Sequence, residues 1–278
     1  MELGYTVWTW LSQEHNNWER DPNPKGAFEQ ALREISHLGY KTVENFNWFA
    51  DHYMDNPQEV VDLCEKYGVK FVNLYHYLTP DWESDQRKGL EYCQFAQKVG
   101  AKYMNLQMQT WKDMPYNRPT NPDAIRTYAE KAMVIGKMAY EHGLTLCVHP
   151  HANTPVFTME QIDLFLSLTD PKYVSLCLDT GHVTLAGGDA VEAFERYIDR
   201  IAYVHLKDID PDESLHPEWP MKRFLALGQG CVDFKGVFRV LKAHDFQGVV
   251  CVELDYQKVC HYESAQYSRN YLKDVIGI

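Results

Sequence analysis

The chain has 278 residues, 45% of them apolar, and a formal net charge of −12 at pH 7. That length suits one large domain or two small ones, with enough apolar material for a sizeable core. The acidic balance argues against nucleic acid or an anionic membrane as a partner, and no apolar run approaches a membrane span.

Strand and helix patterns alternate along the chain. A first strand is expected over 4–10 and a helix over 25–38, where Phe28, Ala31, Leu32 and Ile35 share one face. A second strand, over 41–46, carries Glu44. Asn56, Pro57 and Glu59 then open a helix that ends at Gly68. Strand three is expected over 69–76, a helix over 81–99 and strand four over 101–107. Asn121 and Pro122 open the next helix, which stops near Gly143. Strand five spans 144–149, and Thr158 with Gln161 reads as a capping pair for the helix behind it. Strand six is the run from Val174 to Asp179, followed by a helix over 189–199. Strand seven spans 201–206. A long loop over 208–231 closes on Gly228 and Gly230, and Asp233 caps the next helix. Strand eight spans 249–253 and a last helix 263–275. Eight strand-then-helix units imply a parallel sheet. In a chain of this length they fit a closed (β/α)8 TIM barrel, a single domain over 1–278, better than an open doubly wound sheet.

The start, Met1 to Trp8, lacks the basic-then-apolar pattern of a signal peptide. The seven Cys mostly lie inside apolar runs and read as buried thiols in a reducing compartment, so a cytoplasmic location is expected. Barrels of this size often pair, and a homo-oligomer is compatible with the sequence. His15, in the stretch 12–20, reads as solvent-facing and is assigned no role.

Four of the apolar runs end on chemistry. Strand five closes on His149-Pro150-His151, strand six on Asp179 with His182 just beyond, strand seven on His205 and Lys207, and strand eight on Glu253. The C-terminal ends of barrel strands are where such folds carry their active sites. Imidazole nitrogens and carboxylate oxygens are the donors that zinc, manganese and cobalt take. Neighbouring strands are about 5 Å apart, so four consecutive strand ends can converge on one ion. The candidate ligands are Asp179, His205, Glu253 and one of His149 and His151, with His149 preferred. Each residue alone has a bland reading, a helix cap for Asp179 or a hydrogen-bonded core histidine for His205. Four in register make a divalent metal site the stronger reading.

Leu178-Asp-Thr-Gly-His182, Val204-His-Leu-Lys-Asp208, Gly228-Gln-Gly-Cys-Val-Asp233 and Val252-Glu253 resemble the xylose-isomerase-like TIM barrels. That superfamily holds sugar isomerases, epimerases and endonuclease IV. The resemblance covers most of the chain from Gly143 onward and the first half more loosely. Within the superfamily the inosose dehydratases (2-keto-myo-inositol dehydratases) look most similar, on His149-Pro-His-Ala-Asn-Thr154, on 178–189 and on 228–233. The end of strand eight departs, with Val252-Glu-Leu-Asp-Tyr256 where Glu-Ala-Glu-Gln is expected. Ketose epimerases of the superfamily carry a Glu where this chain has His149 and use two metal-bound Glu as paired acid and base. Here only Glu253 remains. A neutral His leaves the ion a stronger Lewis acid, able to polarise a ketone and acidify the neighbouring C–H.

The resemblance therefore implies a carbon–oxygen lyase of carbohydrate metabolism, in inositol catabolism. It would remove water by β-elimination from a cyclic polyhydroxy ketone such as 2-keto-myo-inositol. Manganese or cobalt is preferred over zinc or magnesium. Glu253, His151 and His182 are the candidates for proton transfer, with acid and base unassigned. Lys207 is a candidate for holding a substrate oxygen, against a rim lysine paired with Asp208. Glu44 is a candidate hydroxyl binder, against a surface or helix-capping carboxylate. His76 and Gln107 end strands three and four and are candidate pocket residues, against satisfied polar side chains. Trp10, with Trp8, Phe46 and Trp48, would offer aromatic surface to a sugar face or simply fill the barrel top. The alternatives are a keto-sugar isomerase or epimerase and a 3-keto-glycoside β-eliminase on the same metal. An endonuclease IV activity is disfavoured, because the stretch 208–230 lacks the Asp-x-His pair that enzyme needs.

Overall fold

A computed structural model describes residues 1–12, 21–108, 119–255 and 259–278. His15, much of the loop after strand four and Tyr256 lie outside the described residues. The chain starts with β1 (Glu2–Thr6), α1 (Pro24–His37), β2 (Thr42–Asn45) and the short α2 (Asn47–Ala50). α3 (Gln58–Tyr67), β3 (Lys70–Leu78), α4 (Trp82–Lys98) and β4 (Tyr103–Met108) follow. Then come α5 (Pro122–Glu141), β5 (Thr145–Val148), α6 (Met159–Ser167), β6 (Ser175–Asp179) and α7 (Thr180–Leu185). α8 (Ala190–Tyr197) leads to β7 (Ile201–Leu206). The two-residue strands β8 (Asp208–Ile209) and β9 (Phe224–Leu225) pair with each other and pin the loop between them. α9 (Phe234–Ala243), β10 (Val249–Val252) and α10 (His261–Tyr271) complete the chain.

β1, β2, β3, β4, β5, β6, β7 and β10 close into one parallel barrel, each beside its predecessor, with β10 returning to β1. The expected caps at Asn121, Thr158 and Asp233 are found, but Asn56 does not cap α3, whose cap position falls on Pro57 with no side-chain bond. Asn23, Asp81, Asn121, Asp189 and Asp233 each accept a backbone N–H from the first turn, and Thr158 with Gln161 forms a full capping box. A cap of this type contributes about 1 kcal/mol. The main apolar core lies between the barrel and the helices, and includes the α1 face of Phe28, Ala31, Leu32 and Ile35. Inside the barrel, Val72, Cys147, Cys177, Tyr203, Val249 and Cys251 form a second cluster. Cys231 is exposed and the other cysteines are buried or half-buried, all as free thiols. Among the described residues no helix is long and apolar enough to cross a membrane.

Besides the short α2 and the β8–β9 pair, two elements depart from expectation. β1 stops at Thr6 instead of running to Trp10, and Trp8–Leu11 is a 3-10 turn. Val7 makes one last bond to the Glu44 carbonyl, and β2 ends at Asn45, so the ladder has no further partner. α7 was not expected; it starts directly on the strand-end residue Asp179.

Candidate metal and proton-transfer site

Asp179 does two jobs with one carboxyl group. As the residue before α7, it accepts the His182 N–H on Oδ1 at 2.9 Å. That bond caps the helix, leaves Oδ2 aimed into the barrel and brings His182 back over the same rim. Oδ2 is buried and receives no hydrogen bond.

His205 pairs in register with Asp179 on one side and Cys251 on the other, so it faces the barrel interior. Its Nδ1 lies 2.9 Å from Glu253 Oε2 and 3.2 Å from His149 Nε2. Its Nε2 lies 2.8 Å from Glu44 Oε1. His149 extends β5 by one backbone bond, from its N–H to the Leu106 carbonyl. Its Nδ1 faces the Gln107 amide oxygen at 3.2 Å, and its Nε2 lies 3.5 Å from Asp179 Oδ2. One donor atom each from His149, Asp179, His205 and Glu253 falls within a span of 4.8 Å. Ligands held about 2.0–2.2 Å from an ion lie roughly 3–3.5 Å from one another, so this spacing fits a divalent cation. Asp179 Oδ2 supports the same fit, because its nearest partners, the Lys207 ammonium at 3.2 Å and His149 Nε2 at 3.5 Å, leave this buried carboxylate oxygen without a well-directed hydrogen bond.

The electrostatics are those of a closed ionic network. Lys207 is fully buried, with its ammonium 2.7 Å from Asp255, 2.9 Å from Glu253 and 3.2 Å from Asp179. Burial works against its charge, but Asp179, Asp255 and Glu253 hold its pKa well above the usual value. Burial likewise opposes a charge on His205, yet Cys177, Glu253 and Glu44 hold its pKa well above the ordinary imidazole range. Asp179 stays ionised despite its burial, because Lys207, His182 and His149 hold its pKa well down. Glu253 is also lowered, by His205 and Lys207 against burial. Burial raises Asp255 to about 6, with Lys207 opposing and Glu253 adding to the rise.

His151 and His182 form a neutral pair beside this network, their ring centroids 3.9 Å apart. Burial first, then His149 and Lys207, push His151 down to about 3. Burial first, then His151 and Lys207, push His182 well below its usual value. A donor atom of each lies within 4.8 Å of an Asp255 oxygen. Phe224 packs against His182, its ring centroid 4.9 Å away.

The remaining sequence candidates fall elsewhere. Glu44 is fully buried behind His205; its Oε2 accepts from Asn73 at 2.7 Å, and its Oε1 faces His205 Nε2 as an ion pair at 2.8 Å with no hydrogen bond of its own. Its buried place against His205 suits orienting that ring. Gln107 does the same for His149. Lys207 is no rim lysine, and Asp208 is not its partner; that carboxyl takes the backbone N–H groups of Gly228, Gly230 and Val232. His76 points outward, its Nε2 3.0 Å from the Asp85 carbonyl and its ring against Tyr92. Trp10 donates to Glu34 and packs on Tyr5 and His261, away from the ligands. Trp8 and Phe46 instead cluster with Tyr75. Sequence reasoning missed Tyr75, whose ring stacks on His205 with the hydroxyl 3.2 Å from Nδ1. The signal was its inward parity with Asn73 on β3, two residues away. Asp255 appeared in the sequence only as part of Val252-Glu-Leu-Asp-Tyr256, the stretch where strand eight departs from the family pattern.

Comparison with known proteins agrees with this picture. A family model described as xylose isomerase-like TIM barrel matches residues 32–275. An inosose dehydratase of Bacillus velezensis is 33% identical, covering 86% of each chain. One from Mesomycoplasma hyopneumoniae is 28% identical, covering 94% of each. Among solved structures, the probable 3-DHS dehydratase AsbF of Bacillus anthracis superposes with a TM-score of 0.77 at 15% identity, covering 98% of this chain and 99% of that one. The IOLI protein with a bound zinc atom gives 0.75 at 17%, covering 99% and 98%. At such identities the structures speak to the fold alone. The closed parallel barrel, the family match over most of the chain and the relative at one-third identity together place this protein in the xylose isomerase-like TIM barrel family.

Proposed function

We propose that the protein is a carbon–oxygen lyase that removes water from a cyclic polyhydroxy ketone, with 2-keto-myo-inositol as the model substrate. The carrying observation is the convergence of His149, Asp179, His205 and Glu253 within 4.8 Å, beside the neutral His151–His182 pair. The relatives called inosose dehydratase support the substrate class.

His149, Asp179, His205 and Glu253 hold the divalent ion, with manganese or cobalt favoured by the mixed nitrogen and oxygen donors. When bound, that ion supplies Lewis acidity to a ketone and acidifies the neighbouring C–H. The chain's own groups do the rest. Glu44 and Gln107 fix the rings of His205 and His149. Lys207 spaces Asp179, Glu253 and Asp255 and offsets their repulsion. His151 and His182 stand where a proton must leave carbon and reach a departing hydroxyl.

Elemental analysis of protein loaded in turn with each ion, followed by a screen of inososes and 3-keto-sugars, tests the reading. Enone or enedione absorbance with stoichiometric metal is the expected result. Exchange of sugar isomers in deuterated solvent without loss of water would instead identify a keto-sugar isomerase or epimerase on the same site.

A further inference from the structure

The turn after β5 fixes more than the position of His151. His151 Nδ1 lies 2.7 Å from the Ala152 carbonyl oxygen. A carbonyl only accepts, so Nδ1 carries a proton, and in the neutral ring Nε2 presents a lone pair. The N–H of the same Ala152 donates to His182 Nδ1 at 3.4 Å. That nitrogen therefore holds a lone pair, and the proton of the neutral ring sits on Nε2. This Nε2 is buried and has no hydrogen-bond partner; the nearest carboxylate oxygen, on Asp255, is 3.8 Å away. Ala152 cannot easily turn over. His151 N–H bonds the Val156 carbonyl, the Thr154 hydroxyl lies within hydrogen-bond distance of the His151 and Val156 carbonyls, and Asn153 holds φ at 64°.

We propose that the Ala152 backbone locks His151 and His182 in opposite tautomers, which gives them different tasks in the elimination proposed above. His151 is the proton carrier, and His182 is a hydrogen-bond donor that holds the departing oxygen. A neutral imidazole N–H is too weak an acid to surrender its proton to a leaving hydroxyl. The far nitrogen of His182 faces an N–H, so nothing can relay a replacement proton through the ring. With the Lys207 ammonium held in ion pairs to Asp179, Glu253 and Asp255, the leaving group takes its proton from His151, the group that has just become acidic.

The bonds balance on that assignment. The C–H bond next to the ketone breaks, its proton goes to His151 Nε2 and its electron pair forms the enolate. The enolate then re-forms the ketone, a C=C bond forms and the C–O bond at the next carbon breaks. The departing oxygen takes the proton back from His151 Nε2 and leaves as water. His151 ends neutral, as it began, and nothing is oxidised or reduced. One carrier serving both carbon and oxygen requires the proton and the hydroxyl to leave from the same face.

Two measurements test this. The first needs no substrate. Nitrogen-15 NMR of the histidine rings in zinc-loaded protein, assigned with His151→Gln and His182→Gln, should show Nδ1–H for His151 and Nε2–H for His182. The same tautomer in both rings overturns the proposal whatever the substrate is. The second separates the two half-reactions. An inosose analogue lacking the departing hydroxyl reports only exchange of the α-proton with deuterated solvent, while the intact ketone reports elimination. His151→Gln should lose about 100-fold or more in both, the usual scale of a removed acid–base group. His182→Phe should keep exchange yet lose elimination, and His182→Gln, which restores an N–H donor, should recover roughly tenfold or more of that loss. Loss of exchange in His182→Phe as complete as in His151→Gln would overturn the assignment, as would full exchange in His151→Gln. If the tautomers are as stated but the loaded wild-type protein turns over no cyclic polyhydroxy ketone, the locked pair stands and the lyase reading fails.

Discussion

Replacing Glu44 by Gln tests whether a carboxylate behind the site tunes it. Glu44 Oε2 accepts the Asn73 amide at 2.7 Å, and its Oε1 faces His205 Nε2 at 2.8 Å as an ion pair. Glutamine has one accepting oxygen. Whichever way its amide turns, one N–H meets another N–H in a fully buried place. An unsatisfied buried donor costs about 1–3 kcal/mol. For a chain of this size, each kcal/mol lowers Tm by roughly 2–4 °C, so the metal-free variant should melt about 2–12 °C below the wild type. The effect on metal is separate. A carboxylate behind a ligating imidazole raises its basicity and fixes its orientation, and its loss typically weakens metal binding about 10–100-fold. Titration calorimetry of Mn2+ into metal-free protein at pH 7 measures this directly. A lower Tm with a Kd within about twofold of wild type would show that Glu44 holds the barrel together but does not act on the ion through His205.

Asp179→Asn should leave the barrel folded, because asparagine is as good a helix cap as aspartate and can still accept the His182 N–H. It should lose bound metal by elemental analysis; full occupancy would remove Asp179 from the ligand set. Metal binding should release a proton. Burial opposes a charge on His205, but Cys177, Glu253 and Glu44 raise its pKa, the two carboxylates facing its two ring nitrogens, which favours a charged ring before the ion binds. A ligating nitrogen must give up its proton, so affinity should rise about tenfold per pH unit below that pKa and flatten above it. Calorimetry in buffers of different ionisation heat counts the proton, and a count of zero refutes the charged state. Gly181→Ala would place a methyl group 2.9 Å from Lys207 Cβ and Cγ. Overpacking of this kind costs about 1–3 kcal/mol, and the displaced ammonium should reduce turnover more than stability; unchanged turnover would separate Lys207 from function.

The barrel was legible because eight apolar runs alternate with capped amphipathic stretches, and β7 falls where the apolar run 201–206 placed it. The ligand set was legible because Asp179, His205 and Glu253 close otherwise apolar strands. What failed was parity near strand ends. In residues 71–76 each parity mixes apolar and polar side chains, Phe71, Asn73 and Tyr75 against Val72, Leu74 and His76, so only Asn73 hints which set faces inward, and the structure chooses Tyr75. Trp10 was placed on a strand that had already become a 3-10 turn, which rotates its ring toward Glu34. Glu44 does face inward, at a depth where it is fully buried against His205. Depth along a barrel axis depends on the register between strands, which no single strand encodes. The tautomers of His151 and His182 depend on one peptide at residue 152 and have no sequence signature at all.

The charge balance of the site gives a physical reason for histidine at 149. Around the candidate centre stand the carboxyl groups of Glu44, Asp179, Glu253 and Asp255, against the cations of Lys207 and His205. Buried charges of one sign are tolerated only when nearly compensated, and here the excess is negative, which suits a divalent ion that expels one proton from His205. A fifth carboxylate at 149 would deepen the excess, bind the ion more tightly and drain its Lewis acidity. It would also face the Gln107 amide oxygen, now 3.2 Å from the ring of His149, oxygen against oxygen. His149→Glu should therefore hold metal at least as firmly as the wild type while dehydrating its ketone more slowly. Tighter binding with unchanged or faster elimination would show that ligand charge does not limit the reaction and would return the paired-carboxylate chemistry of the epimerases to consideration.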